Sequence, residues 1–114
     1  MKCRITFCDD ELKKQWDSLN TSKKHSDIQL LKELNSAFDK IEHNPFCGKR
    51  IQKKLIPKSF QKKYGPLDNL LKYNLSSSWR LCYYITSDDN GAISVIVKWM
   101  DHKEYDRTFG YHSS

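Results

Sequence analysis

Nowhere in these 114 residues does an apolar run approach the ~20 positions that a membrane-spanning helix needs, so no membrane partner is expected. The opening segment, MKCRITFCDDELKK, has no signal-peptide apolar core and turns acidic at once, which points to a cytoplasmic protein. The four cysteines (Cys3, Cys8, Cys47 and Cys82) form no C-x-x-C pair, and no histidine stands near one at zinc-finger spacing. Nothing resembles a carboxylate metal cluster, so neither metal nor cofactor is expected. In a cytoplasmic chain the thiols stay reduced, and Cys3 and Cys82, in strand-like segments, serve as small hydrophobes. Internal repeats and low-complexity tracts are also missing. What remains is polar but globular, 38% hydrophobic with 30% charged residues, and fits one domain over residues 1–114.

Acidic residues are scarce in one stretch only. Residues 1–48 are electrically balanced and 81–114 are slightly acidic, whereas 49–80 hold nine cations against Asp68 alone. Seven of the nine are Lys49, Arg50, Lys53, Lys54, Lys58, Lys62 and Lys63, a run interleaved with aromatics in FQKKYG; Lys72 and Arg80 complete the set. A block of this kind inside a folded domain sets up a local positive field that favours a polyanion, most often nucleic acid. The ordinary alternative is a solvated lysine-rich surface. Phosphate contacts of this sort give affinity without sequence information, so a sequence-specific reader is not implied.

Apolar spacing orders the elements. KCRITFC alternates, with Cys3, Ile5 and Phe7 on one face and Lys2, Arg4 and Thr6 on the other. Asp9 or Asp10 can cap a helix with Leu12, Trp16 and Leu19 as its stripe. A second helix runs from about Asp27 to His43 with Ile28, Leu31, Leu34, Phe38 and Ile41 on one face, and NPFCG ends it. GKRIQKKL reads as a short strand or an extended loop. IPKSFQKKYG reads as one or two helical turns, with Pro57 near its first position and Gly65 past its end. LDNLLKYNL and WRLCYYIT read as hairpin strands joined by SSS, and SDDNG turns the chain into the β-branched strand AISVIVKW. The tail MDHKEYDRTFGYH is polar, and helical or irregular. The expected class is α+β: an N-terminal strand and helical hairpin packed on one face of a mostly antiparallel sheet that ends in a three-strand meander.

Within NLSSSWRLCYYI, alternation gives Trp79, Leu81, Tyr83 and Ile85 to the core and turns Arg80, Cys82 and Tyr84 to the other face. Arg80 is then either an exposed arginine on a wet sheet face or the centre of a basic site, with Lys72 and Lys98 on the same face.

LLKYNLSSSWRLCYYI resembles the central hairpin of the RelE/ParE toxin superfamily, and VIVKWMDHKEYDR resembles its last strand and following segment, especially in HigB-like and YafQ-like members. The resemblance spans the chain as an element order and is tight over residues 70–107. It implies a cytoplasmic toxin of a type II toxin–antitoxin module, with a cognate antitoxin protein as partner. In most RelE-like members it further implies an endoribonuclease that cuts mRNA on the ribosome without metal. Such cleavage needs a deprotonated 2′-hydroxyl, a stabilised phosphate and a protonated 5′-oxygen leaving group. By position in SWRLCYY, Arg80 matches the arginine that stabilises the phosphate, and its planar fork suits two phosphate oxygens. His102 in MDHKEYD matches a catalytic histidine. Tyr105 either stacks on a base and orients the 2′-hydroxyl or packs the tail, and Lys72 matches a basic strand position. Asn74 departs from the family, which often has a second lysine there. Asp101 either orients His102 or caps the last helix. His25, His43 and His112 match nothing. The lysines from Lys49 to Lys63 would draw the protein to ribosomal RNA. The alternatives are a ParE-like inhibitor of DNA gyrase without nuclease chemistry and an RNA-binding relative that has lost activity.

Overall fold

The computed structural model describes residues 3–65, 67, 69–76 and 78–110; Lys2, Asp68, Ser77 and His112 of the reading above lie outside them. β1 (Arg4–Phe7) leads into α1 (Asp10–Thr21) and α2 (His25–His43). An edge strand β2 (Lys49–Arg50) and a short helix α3 (Lys58–Tyr64) follow, each preceded by a single 3₁₀ turn, Pro45–Cys47 and Lys53–Leu55. The meander β3 (Leu70–Asn74), β4 (Trp79–Asp88) and β5 (Gly91–Asp101) then runs into α4 (His102–Phe109). The protein is α+β, with a mixed five-stranded sheet in the order β1-β5-β4-β3-β2, antiparallel except where β1 lies parallel to β5. No described helix is long and apolar enough to cross a membrane.

Asp9 caps α1, its carboxylate accepting the Leu12 backbone N–H at 2.8 Å, and Asp10 and Glu11 occupy the positive end of the helix dipole. α1 and α2 cover one sheet face. Leu12, Leu34, Phe38 and Ile41 pack on Leu81, Tyr83, Ile96 and Trp99, and the rings of Phe7, Trp16, Phe38 and Trp99 meet at centroid distances of 5.2–6.4 Å. The stripe of α2 differs from the expected one. Ile28 is 44% exposed and Leu31 half-buried, while Leu30 and Ala37 are buried in their place. Ala37 lets the helix approach closely, and Glu33, beside it, is drawn inward by a hydrogen bond from the Ser76 hydroxyl at 2.8 Å.

The larger correction concerns the other face. Helices do not pack on one side only: α3 and α4 cover much of the second face, with Phe60, Tyr105 and Phe109 set on Leu70, Cys82, Val97 and Met100. The tail is polar in composition, yet its Tyr105 and Phe109 sit four residues apart on one side of α4 and drive it onto the sheet. A bulge in β5 makes this possible. Cys82 pairs with Lys98 but Tyr83 pairs with Ile96, so Val97 is an extra residue. Before the bulge Ile96 faces α1 and α2; after it Trp99 does, and Lys98 and Met100 are turned to the second face. The four cysteines are free: Cys3 and Cys82 are buried, Cys8 half-buried and Cys47 exposed. Burial pushes the Cys82 thiol up to about 12, consistent with a packing role.

Candidate functional site

The register of the sheet places four side chains in one row on the second face: Lys49 opposite Lys72, Lys72 opposite Cys82, and Cys82 opposite Lys98. Directly opposed residues of antiparallel strands share a face, so three of the four are lysines looking the same way. Arg80 lies two pairs further along, on the same face, between Asn74 and Met100. It is half-buried, and its Nη1 donates to the Trp79 carbonyl at 3.2 Å, which anchors the guanidinium near the sheet.

Lys72 is the electrostatic centre. Its Nζ sits 5.1 Å from the centroid of the Tyr105 ring. Burial, and then the charges of Arg80 and Lys49, hold its pKa below the ordinary 10.5, while Asp106 opposes them. Two cations close enough to depress a third make a cluster that an anion stabilises. Asp106 was not singled out in the sequence; the signal was its place four residues after His102, on the same side of α4.

His102 opens α4 immediately after β5 and is exposed, at the end of the sheet where Arg80 stands opposite Met100. Asp101 is the helix cap, its carboxylate accepting the Glu104 N–H at 2.8 Å; no hydrogen bond joins the His102 ring to a described residue. Lys98 is held by Glu104 at 2.8 Å, which lowers its value as an anion contact. Tyr105 is 2% exposed, so its ring is closed to a base, and packing is the role its position fits. Its link to the row is the contact of its ring with Lys72.

The basic run is dispersed. All seven cations from Lys49 to Lys63 are exposed, but only Lys49 joins the row. Arg50 pairs with Leu71 and so turns to the opposite face. Lys53 and Lys54 lie in a 3₁₀ turn, and Lys58 and Lys62 on α3. Lys63 stands over the Tyr64 ring at 5.3 Å and shares a cleft with Asp9 and Glu11 of the acidic start of α1. Its pKa is raised chiefly by Tyr64, with smaller contributions from those carboxylates. No group of three or more His, Cys, Asp or Glu residues placed to hold a metal occurs among the described residues.

The lowered Lys72 pKa has a measurable sign. Affinity for a single-stranded oligonucleotide is expected to fall as pH rises through a window beginning below 10.5, where Lys72 loses its charge. Lys72→Arg keeps a charge throughout and should remove the earliest part of that fall. Stability moves the other way over the same window, because the unfolded chain there binds more protons than the folded one, so unfolding free energy rises with pH. Titration of oligonucleotide binding by fluorescence anisotropy, wild type beside Lys72→Arg, checks both the window and its owner.

Comparison of the chain with protein-family models, with curated proteins and with solved structures found no match.

Proposed function

We propose that this chain is a RelE/ParE-like toxin of the RNA-cleaving branch, a cytoplasmic endoribonuclease that acts on mRNA at the ribosome and is restrained by an antitoxin protein. The element order supports the family reading: a strand, a helical hairpin, then a meander running into a final helix. The motifs at 70–107 support it in detail. The observation that carries the activity is the gathering of Arg80, Lys72 and Lys49 on one sheet face, with His102 two residues beyond Met100, the strand partner of Arg80.

In this reading Arg80 and Lys72 hold the scissile phosphate. The 2′-oxygen attacks phosphorus, and the bond to the 5′-oxygen breaks. One proton leaves the 2′-hydroxyl and one reaches the departing 5′-oxygen; His102 carries out one of these transfers and solvent water the other. Tyr105 is a positioning residue beneath Lys72.

The test adds purified protein to a cell-free translation reaction and maps the ends of one defined mRNA with and without ribosomes. Cuts that need ribosomes and disappear with His102→Ala are the expected result. Intact mRNA with normal translation overturns the nuclease and directs attention to a DNA-supercoiling assay for the gyrase-inhibitor alternative. One observation favours a second reading: with Tyr105 buried and no described hydrogen bond orienting His102, the same face suits an RNA-binding relative without catalysis. Steeply salt-dependent RNA binding with no cleavage would select it.

A further inference from the structure

The outer edge of β3 is covered only in part. β2 pairs Lys49 with Lys72 and Arg50 with Leu71, and no described strand continues beside Tyr73 and Asn74. Two clefts meet at those residues. One, of about 240 Å³, is bounded by Cys47, Gly48, Lys49 and Lys72 as well as Tyr73 and Asn74. The other, of about 290 Å³, shares Tyr73 and Asn74 and runs along α2 past Lys32, Ser36 and Lys40. These three positions, spaced by four, form one row about 12 Å long at the helical rise per residue.

Lys32 and Lys40 are exposed, and neither forms an ion pair with a described residue. Glu33 is the acidic residue of the second cleft. It is 8% exposed and its Oε1 accepts the Ser76 hydroxyl, so it is turned toward the connection between β3 and β4. The lysines are then the charges that the cleft presents outward. Residues 1–48 are balanced in total, which hides this pair in any count by segment.

We propose that the two clefts form a single trough, and that single-stranded RNA held at Arg80 continues round the end of β3 onto Lys32 and Lys40 of α2. The inference rests on the RNA reading above and gives the path of the strand. The half-buried Tyr73 at the crossing offers part of a ring face to a base, and Ser36, Asn74 and Ser76 offer hydroxyl and amide groups to sugar and phosphate. Contacts of this kind guide a strand irrespective of its sequence.

The experiment measures the salt dependence of binding of a labelled oligouridylate of about 12 nucleotides, a length within the range of single-strand sites. A Lys32→Ala/Lys40→Ala variant loses two phosphate contacts, so the slope of log affinity on log salt should become shallower by about 1.4, with affinity roughly 25-fold lower near 0.1 M salt. A Lys23→Ala/Lys24→Ala variant loses the same charge from exposed lysines between α1 and α2 and should keep the wild-type slope. An unchanged slope in the first variant, or an equal loss in the second, overturns the trough while leaving the Arg80 site standing. If wild type binds no RNA, or Arg80→Ala binds as tightly as wild type, the RNA reading itself fails and the trough fails with it.

Discussion

Arg80→Ala is expected to lower ribosome-dependent mRNA cleavage by two to three orders of magnitude, roughly the cost of removing one preorganised donor from a developing oxyanion. The side chain is placed for this. A guanidinium has five N–H donors, and the one side-chain hydrogen bond that Arg80 makes to a described residue, from Nη1 to the Trp79 carbonyl, fixes its position and leaves a fork for phosphate oxygens. Its removal also relieves Lys72, whose charge Arg80 opposes, so the lysine should titrate closer to its ordinary range in the variant. Fold stability should change little, because the side chain is half-buried at the rim of the second core. Arg80→Lys restores the charge without the planar fork and should recover only part of the activity. Mapped mRNA ends report the activity, and a thermal melt reports the fold. Cleavage by Arg80→Ala at the wild-type rate would sink the assignment of this residue to the phosphate.

The largest effect on stability is expected at Gly48, which precedes Lys49 and borders a cleft with it and Lys72. A Cβ there would lie 2.7 Å from both the Lys72 carbonyl oxygen and the Tyr83 hydroxyl, and 3.0 Å from the Tyr83 ring. Neither neighbour can retreat, since one is the backbone of β3 and the other a fully buried ring. The glycine is also part of a latch: its N–H donates to the Tyr83 hydroxyl at 3.0 Å, and that hydroxyl donates to the Pro45 carbonyl at 2.7 Å. Gly48→Ala combines overpacking with strain on two partly buried hydrogen bonds, about 3 kcal/mol in all and roughly 12 °C of melting temperature for a domain of this size. Tyr83→Phe removes the hydroxyl alone and should cost about 1–2 kcal/mol. The double variant should lose less than the sum, because phenylalanine vacates part of the space the new methyl needs. Melting by circular dichroism measures all three. A shift of under about 3 °C for Gly48→Ala would refute the account.

The sheet and its two faces were legible where alternation is strict. Trp79, Leu81, Tyr83 and Ile85 pack toward α1 and α2, with Arg80, Cys82 and Tyr84 opposite, because a pleated strand allows no other distribution. A cap at Asp9 or Asp10 and the short helix between Pro57 and Gly65 were legible from local chemistry, and Asp9 is the one that caps; Gly65 takes a φ of 87°, a conformation side chains avoid. The bulge at Val97 was not legible, since a run of β-branched residues pairs equally well in either register until Trp99 and Lys98 must choose faces. The second core was half-visible in Tyr105 and Phe109 but masked by the charged residues between them. At the site, the pairing of Lys72 with Lys49 depends on β2, a strand of two residues that no periodicity can reveal. The same holds for Lys63, whose place beside Asp9 and Glu11 follows from how α3 crosses the sheet.

The parallel seam between β1 and β5 joins Arg4 to Ile93 and Phe7 to Ile96. Such distant pairing means that a growing polypeptide cannot close its sheet until most of the residues have been made. β5 lies between β1 and β4, so until it is in place β1 has no partner in the sheet, and Leu34, Phe38 and Ile41 lack Ile96 and Trp99 to pack on. Chains in which β5 has not yet paired should therefore be aggregation-prone. The cationic face, built on β3, β4 and the start of α4, is likewise complete only once β5 has joined them, so closing the sheet and assembling that face are one event.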